Sequence, residues 1–172
     1  LIFVGELNHN KHQDLLINVV YKLKSKIPYL KLLLVGRGDM VEQYKQLVNH
    51  LGLEKNVEFL GYRNDVPNLM LISDIAVSSS RREGLPVNVM EAMATGLPLI
   101  VTNCRGNRDL VRNNENGFVV YDDVETFAEK VEFLYLSQEK REQFGQASLS
   151  LIEKFSLENI LDDLKNLYLT NI

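Results

Sequence analysis

Two glutamates, Glu83 and Glu91, stand eight positions apart across the start of a predicted helix. Pro86 is typical of a first helical position, where the missing N–H of proline costs nothing, and Gly96 is typical of the position after a helix end. Glu83 is therefore expected in the loop ahead of the helix and Glu91 one to two turns inside it, about 8 Å along the axis at 1.5 Å per residue. Carboxylates are strong hydrogen-bond acceptors, so this pair is suited to hold hydroxyl groups at two ends of one ligand.

Backbone amides are the polar groups that this segment offers between the two carboxylates. The N–H groups of Gly84, Leu85 and Val87 are expected at the positive end of the helix dipole, where phosphate groups commonly bind. Asn88 shares a helix face with Glu91 by the i, i+3 rule. Hydroxyls at both ends and phosphate in the middle describe a nucleotide-sugar, so the segment predicts a site for such a ligand. The simpler interpretation is a solvated helix with two surface carboxylates.

The run from Glu83 to Val101 resembles the Glu-x7-Glu signature of the group-1 glycosyltransferases, which are retaining enzymes with the GT-B fold. The resemblance covers essentially the whole chain. Within the family, the chain more loosely resembles members that assemble bacterial capsular polysaccharides or exopolysaccharides. It implies transfer of a hexose from a nucleoside diphosphate, with a UDP-sugar as the donor expected first. In the family pattern Glu91 binds the ribose diol, Glu83 contacts the transferred sugar, and Pro86 lies among the amides that hold the diphosphate.

The first loop, which begins with Gly5 and Glu6, carries a second part of the resemblance. It is similar to a family segment in which an arginine and a lysine clamp the donor pyrophosphate. Lys11 matches the lysine, whereas Glu6 stands where arginine is usual and His12 where glycine is usual. A carboxylate about 4 Å from a phosphate would be repelled by roughly 4 kcal/mol at an effective dielectric constant of 20. Glu6 is therefore expected to point away, to pair with Lys11 or to contact a donor hydroxyl. The alternative for Lys11 is a solvated lysine.

Two further loops are expected beside the donor. Gly36 and Arg37 begin a short Gly-x-Gly turn that lacks the third glycine of the dinucleotide fingerprint and is weak evidence by itself. The family resemblance places this turn next to the donor, and Asp39 is equally well interpreted as the cap of the next helix. Tyr62 follows a strand similar to the one that ends beneath the nucleobase in the family. Its ring would either stack on the base or pack against the protein.

The turn around Gly106 resembles the family's Gly-Gly-x-x-Glu turn, whose main chain lies near the donor sugar. Arg105 replaces one of these glycines. Arg105 and Arg82, which lies on a neighbouring loop, are candidates to supply the positive charge of the arginine that Glu6 replaces. Cys104 is interpreted as a small buried filler, because no base with suitable spacing accompanies it for nucleophilic chemistry.

Strand-like and helical stretches alternate along most of the chain, which indicates an α/β fold. The alternation predicts a Rossmann-like, doubly wound parallel sheet of about six strands with helices on both faces. Such sheets bind ligands at the carboxyl ends of their strands, so the loops above are expected on one rim. The predicted strands are 1–5, 30–36, 57–61, 75–78, 97–102 and 117–121. The predicted helices are 15–27, 40–51, 65–72, 86–95 and 107–112, followed by a helical C-terminal tail at 124–136, 138–153 and 156–168.

The length of 172 residues fits a single domain, here a nucleotide-sugar (donor) binding domain over residues 1–172. Because the chain starts inside a strand-like run without a methionine, it is expected to be a piece of a longer protein. The GT-B resemblance implies the C-terminal half of a two-domain enzyme, whose N-terminal half binds a saccharide or lipid-linked acceptor. The isolated fragment should then transfer little sugar. The last helix would pack on that other domain or on its own sheet through Leu157, Ile160, Leu161, Leu164 and Leu167.

Composition argues against several other classes of function. The net charge of −4 and the pI of about 5.4 do not favour nucleic acid as a partner. A single cysteine excludes an internal disulfide and fits a reducing compartment, so we expect a cytoplasmic protein that reaches the inner face of the membrane only through the missing domain. His9 and His12 lack partners with metal-ligand spacing, and the Asp-x-Asp element of GT-A transferases is absent. No metal or other cofactor is therefore expected.

Two other classes of function remain open at this point. Glu6 leaves room for a nucleotide-sugar-binding module without transfer activity. An enzyme similar to the NDP-sugar 2-epimerases, or another nucleoside-phosphate enzyme on a similar sheet, is a further alternative. Such enzymes should lack the joint arrangement of Glu83 and Glu91.

Overall fold

The computed structural model describes residues 1–169 and shows strands and helices in the predicted order. The strands are β1 (Ile2–Val4), β2 (Leu32–Val35), β3 (Val57–Gly61), β4 (Ala76–Ser78), β5 (Leu99–Thr102) and β6 (Gly117–Val120). The helices are α1 (Gln13–Leu23), α2 (Val41–His50), α3 (Val66–Leu71), α4 (Val87–Ala94), α5 (Arg105–Leu110), α6 (Val124–Leu136), α7 (Gln138–Ile152) and α8 (Leu157–Leu169). A short 3₁₀ turn, Glu153–Phe155, joins the last two helices.

All six strands form one parallel sheet in the order β3-β2-β1-β4-β5-β6. The chain moves outward in one direction from β1 to β3 and then returns to the other side of β1 with β4. The strand order therefore reverses between β1 and β4, which is where a doubly wound sheet opens a crevice for ligands. The predicted α/β fold and its six-stranded sheet are confirmed.

Two apolar cores cover the two faces of the sheet. On one face α1, α2 and α6 bury a cluster that includes Phe3, Leu16 and Phe127. On the other face the helices from α3 to α5 bury a cluster that includes Met93 and Val101. The strands are apolar on both sides for this reason, as expected of a parallel sheet between helical layers. The rim at the strand ends is left for polar residues.

The ends of several elements differ from the sequence prediction. Helix α4 begins at Val87, and Pro86 is its N-cap residue rather than its first helical residue. Helix α5 runs from Arg105 to Leu110, two residues earlier than predicted. Asp39 caps nothing, because Met40 is the N-cap residue of α2 and makes no side-chain capping bond. The cap interpretation of Asp39 was therefore wrong.

The predicted stripe on α8 is exposed where its side chains are described, at Leu157, Ile160 and Leu161. The side chains of Leu164 and Leu167 lie outside the described part of this helix. The Ser156 Oγ accepts a hydrogen bond from the Asn159 amide at 3.3 Å, which caps the start of this helix. Within residues 1–169, no helix is both long and apolar enough to cross a membrane.

Candidate functional site

The loops that follow β1 and β4 are joined by hydrogen bonds on either side of the point where the strand order reverses. The Ser79 hydroxyl donates to the Lys11 carbonyl at 2.7 Å, and the Arg81 amide donates to the Asn10 carbonyl at 2.9 Å. The Asn10 side-chain amide in turn donates to the Arg82 carbonyl at 3.1 Å. These contacts fix the first loop against the segment that leads into α4.

Lys11 and Glu83, which the sequence predicts at the diphosphate and at the transferred sugar, form an ion pair across this junction. The Lys11 Nζ lies 2.5 Å from the Glu83 Oε1, and the two side chains are only 19% and 11% exposed. The Lys11 amide is also held, because it donates to the Asn8 Oδ1 at 2.9 Å. Lys11 is therefore a positioned lysine, and the solvated alternative was wrong.

Glu6 does not take part in this ion pair. Its carboxylate is exposed and accepts a hydrogen bond from the Asn8 Nδ2 at 2.9 Å, so the predicted alternative of pairing with Lys11 is wrong. His12 has a φ of 53°, a left-handed conformation that glycine adopts without strain. This backbone angle explains why glycine suits the position. The loop keeps its shape with histidine at that position, which is a tolerated but less favoured choice.

The start of α4 presents unpaired backbone donors next to the ion pair. Within the described residues, the amides of Gly84, Leu85 and Val87 have no hydrogen-bond acceptor. The first amide in this stretch that has one is that of Val89, which donates to the Pro86 carbonyl. Because Pro86 as N-cap residue offers no capping oxygen, the positive end of the helix dipole is open to an external anion.

Glu91 lies just over one turn inside α4, with its side chain exposed. The Glu91 carboxylate has no hydrogen-bond or ion-pair partner in the part of the chain that the structure describes. One turn earlier, the Asn88 Nδ2 donates to the Val4 carbonyl at 2.7 Å. This bond anchors the face shared by Asn88 and Glu91 at the end of β1, the strand beside which the order reverses.

Gly106 lies directly against the backbone that carries Glu83. Its amide donates to the Glu83 carbonyl at 3.1 Å, and the residue is buried. A Cβ at this position would stand 2.5 Å from the Gly84 carbonyl oxygen and 2.9 Å from the Glu83 oxygen. Gly106 thus supports the loop that carries Glu83 from behind, and the close approach explains why a glycine is needed there.

Gly106→Ala is expected to destabilise the protein and to displace the loop that holds Glu83. Overpacking of this kind typically costs about 1–3 kcal/mol, partly offset by the roughly 1 kcal/mol by which helices favour alanine over glycine. Urea unfolding followed by circular dichroism measures the change. Gly84→Ala is the matched control for stability, since no atom lies within 4 Å of the Cβ it would add. A gain in stability in Gly106→Ala, as helix propensity alone would give, would contradict the close packing.

Arg37 and Tyr62 meet at the rim beyond β2 and β3. The Arg37 guanidinium lies over the Tyr62 ring, 5.7 Å from its centroid, and the tyrosine side chain is 71% exposed. The ring is therefore not a packing element of the core and has a free face for stacking. Behind this pair the loops after β1 and β2 touch, since a Cβ on Gly36 would meet the Gly5 carbonyl oxygen at 1.9 Å. Gly5 and Gly36 contribute to the site by letting these loops approach.

Arg82, Arg105 and Cys104 are three further residues that the sequence singled out near the site. Arg82 and Arg105 are exposed, and neither guanidinium has a partner among residues 1–169, so both are available to an anion. Cys104 is buried, and burial raises the pKa of its thiol, which suits a filler rather than a nucleophile. In the same described range, no group of three or more His, Cys, Asp or Glu residues is arranged to hold a metal ion.

Sequence reasoning missed the residues that position Lys11. Asn8 accepts a bond from the Lys11 amide within the first loop itself, whereas Asn10 and Ser79 make bonds between elements about seventy residues apart. A signal was present in the residue types. Asparagine and serine at strand ends commonly bond to nearby backbone. Nothing in the sequence, however, indicated which backbone groups they would reach.

An open parallel sheet with a charged, amide-lined crevice at its topological switch point is a Rossmann-like fold. The sequence profile of the family described as "Glycosyl transferases group 1" matches residues 1–150. The chain belongs to this family of sugar transferases.

Relatives and solved structures agree with this family assignment. The chain is 38% identical over 169 residues to the putative glycosyltransferase EpsD of Bacillus subtilis, covering 98% of this chain and 44% of that protein. It is 31% identical over 145 residues to an Escherichia coli UDP-Gal:alpha-D-GlcNAc-diphosphoundecaprenol alpha-1,3-galactosyltransferase, covering 83% of this chain and 38% of that protein. The chain thus spans less than half the length of these relatives.

Among solved structures, Staphylococcus aureus TarM in complex with UDP and alpha-GlcNAc-glycerol has a TM-score of 0.89 and 26% identity, covering 97% of this chain and 34% of that one. The C-terminal domain of a Francisella tularensis group 1 glycosyl transferase, LpcC, has a TM-score of 0.80 and 24% identity, covering 91% of this chain and 85% of that one. At that identity the second likeness shows the fold alone.

Proposed function

We propose that this chain is the donor-binding domain of a retaining hexosyltransferase that takes its sugar from a nucleoside diphosphate, with UDP as the first choice of nucleotide. One observation carries the proposal. The ion pair of Lys11 with Glu83 lies at the switch point of the sheet, beside the unpaired amides at the start of α4. A cation and free amides suit a diphosphate, and a carboxylate beside them suits a sugar hydroxyl.

Each part of the donor has a proposed partner. The diphosphate lies between the Lys11 ammonium and the amides of Gly84, Leu85 and Val87, where these donors stabilise the charge that develops on the departing nucleoside diphosphate. Because a lysine and a helix dipole supply this positive charge, the site needs no metal ion. Arg82 and Arg105 can add to the positive potential around the diphosphate. Glu6, which stands where the family usually has an arginine, adds none.

The ends of the donor are held by side chains. Glu91 accepts hydrogen bonds from the ribose diol, and Tyr62 with Arg37 forms a platform for the nucleobase. Glu83 contacts hydroxyls of the hexose near the reacting carbon. No covalent step is assigned to Glu83. Glu83 positions the sugar after the Lys11 ammonium has moved from the Glu83 carboxylate to the bound diphosphate.

The acceptor and its domain are also proposals. A relative named for a diphosphoundecaprenol substrate favours a saccharide or lipid-linked acceptor, and we place the enzyme in bacterial polysaccharide assembly. An N-terminal domain of the same polypeptide would bring that acceptor to the rim that holds Glu83. The free, buried Cys104 fits a reducing compartment, so we place the enzyme in the cytoplasm, with any membrane contact through the other domain.

Titration of the chain with UDP, GDP and ADP tests the proposed donor class. We expect UDP to bind most tightly by isothermal titration calorimetry, and the same affinity in the presence of EDTA because no metal takes part. Lack of binding by all three nucleotides would contradict the proposal. Loss of UDP binding on adding EDTA would contradict the metal-free site while leaving the donor class intact.

Glu6 stands where the family usually has a phosphate-binding arginine. A nucleotide-sugar-binding module without transfer activity is therefore the second candidate function. The longer protein, supplied with radiolabelled UDP-hexose and a lipid-linked acceptor, separates the two functions. Transfer of label supports the enzyme, and donor binding without transfer supports the module. The chain by itself is expected to bind the donor and to transfer little sugar.

A further inference from the structure

A second cavity of about 420 Å³ opens on the same rim, at the carboxyl ends of β4, β5 and β6. Its volume is within the range of small-molecule sites. None of the residues assigned above to the donor lines it. The side chains that matter here are those of Ser80, Arg81, Thr102, Asn103, Tyr121 and Asp122.

The charges in this cavity are already balanced within the protein. The Arg81 Nη1 donates to the His9 carbonyl at 2.6 Å, and its Nε lies 3.9 Å from the Asp122 Oδ2. The other Asp122 oxygen lies 2.8 Å from the His12 Nδ1. Because Arg81 faces the Asp122 carboxylate, the two charged side chains that line the cavity balance each other. A neutral ligand fits it better.

The remaining lining groups are hydrogen-bonding groups beside an aromatic ring. The Ser80 residue is fully buried, yet its Oγ has no hydrogen-bond partner within residues 1–169. Thr102 supports this segment by donating to the Ser80 carbonyl at 2.5 Å. Asn103 accepts from the Arg108 guanidinium through its Oδ1, which leaves its side-chain N–H groups available. The Tyr121 ring is 72% exposed at the cavity edge.

These groups suit a sugar ring, which combines many hydroxyls with one apolar face. An exposed tyrosine offers a flat surface to that face, and hydroxyl, amide and carboxylate groups satisfy its hydroxyls. Buried polar groups without partners are uncommon in proteins, so the unpaired Ser80 hydroxyl is a group of the cavity wall that an ordered water or a polar ligand can satisfy.

The cavity also adjoins the proposed donor site through the chain. Arg81 lies two residues before Glu83, and Cys104, which lines the cavity, lies two residues before Gly106. Since the Gly106 amide bonds to the Glu83 carbonyl at 3.1 Å, the two sites share a wall. A ligand in the cavity would therefore stand beside the sugar of a bound donor.

We propose that this cavity is a subsite for a neutral sugar unit of the acceptor, contributed by the same domain that binds the donor. The inference rests on the proposed transferase function. A subsite here would orient the acceptor from the donor side of the crevice, in addition to whatever the other domain contributes.

Methyl glycosides of glucose, galactose and N-acetylglucosamine are the probes, titrated into the ¹⁵N-labelled chain and followed by NMR. At least one is expected to shift the amides of residues 80–81, 102–104 and 121–122, both in the absence of nucleotide and with UDP-hexose bound. Tyr121→Ala should weaken this binding roughly ten-fold. The affinity for UDP should not change. Tyr29→Ala, which removes a 93% exposed tyrosine outside this cavity, is the matched control and should behave like the parent.

Three outcomes would overturn the subsite. Glycosides that shift none of these amides at their highest soluble concentration would exclude it. So would equal binding by Tyr121→Ala and the parent. Exclusion of glycosides by UDP-hexose but not by UDP would assign the cavity to the hexose of the donor instead. Failure of UDP, GDP and ADP all to bind is a separate result, which would overturn the proposed donor function and the acceptor role with it.

Discussion

Lys11→Met should weaken UDP binding roughly 10- to 100-fold, because a hydrogen bond to a charged group contributes about 1.5–3 kcal/mol. The lysine is a suitable target since its backbone is fixed by Asn8 and Ser79 and its ammonium is aimed at the crevice by Glu83. Methionine keeps an unbranched side chain and removes the charge. Calorimetric titration of UDP measures the loss.

The stability of the Lys11 variant needs its own control. Glu83 is only 11% exposed, so removing its partner leaves a largely buried carboxylate unpaired and is expected to destabilise the fold. The double variant Lys11→Met, Glu83→Gln removes both charges together and should recover much of that stability. It should still bind UDP weakly. Parent-like UDP affinity in this double variant would contradict the phosphate role of Lys11.

Glu83→Gln alone is expected to change UDP binding in the opposite direction. The substitution removes a negative charge beside the diphosphate and frees Lys11 from its ion pair, so UDP should bind more tightly, by up to about ten-fold at an effective dielectric constant near 20. UDP-hexose should gain less, because its sugar loses a carboxylate contact. Weaker binding of UDP by this variant would mean that the ion pair organises the phosphate site rather than competing with it.

Glu91→Ala is the second substitution with a large expected effect. Hydrogen bonds from a ribose diol to a carboxylate are charge-assisted, and losing them should weaken UDP binding roughly 10- to 100-fold. The fold should be unaffected, because the Glu91 side chain is exposed and has no partner within residues 1–169. Circular dichroism and urea unfolding check the fold, and calorimetry checks the affinity.

A control variant and a modified ligand make the Glu91 prediction specific. Glu129→Ala removes an exposed helical carboxylate on α6 and should leave UDP binding unchanged. UDP with a 2′,3′-dideoxyribose should bind the parent as weakly as UDP binds the Glu91 variant, and that variant should not distinguish the two ligands. Discrimination between them by Glu91→Ala as strong as that of the parent would exclude the ribose role.

Much of the fold was predictable because a parallel sheet between helical layers has a strong local pattern. Its strands are apolar on both faces, and helices with 3.6-residue periodicity separate them. The two ends of α4 show how far such a local pattern defines where a helix begins and ends. Gly96 marked the end of this helix correctly, whereas the start fell at Val87 because Pro86 adopts an extended conformation as its N-cap residue.

The residue types of the site were also evident from the sequence, since Glu83 and Glu91 stand in a spacing that suits a nucleotide-sugar and Lys11 matches the lysine of the family segment. The sequence predicted only in part which of these residues would lie next to one another. The rule that strand ends share one rim brought the loops together, but it did not say that Lys11 would pair with Glu83 rather than with Glu6. That choice depends on where the loop after β1 is held, which is decided by bonds from Ser79 and Asn10 to distant backbone groups.

The sequence by itself therefore determined the order of the elements, the parallel sheet and the set of chemically capable side chains, because all three depend on local pattern. Tertiary structure alone decided the strand order with its reversal beside β1, the ion pair, the support of Glu83 by Gly106 and the cavity at Tyr121. These features join residues that are far apart in the chain, and their energies depend on distances of a few ångströms that no local pattern specifies.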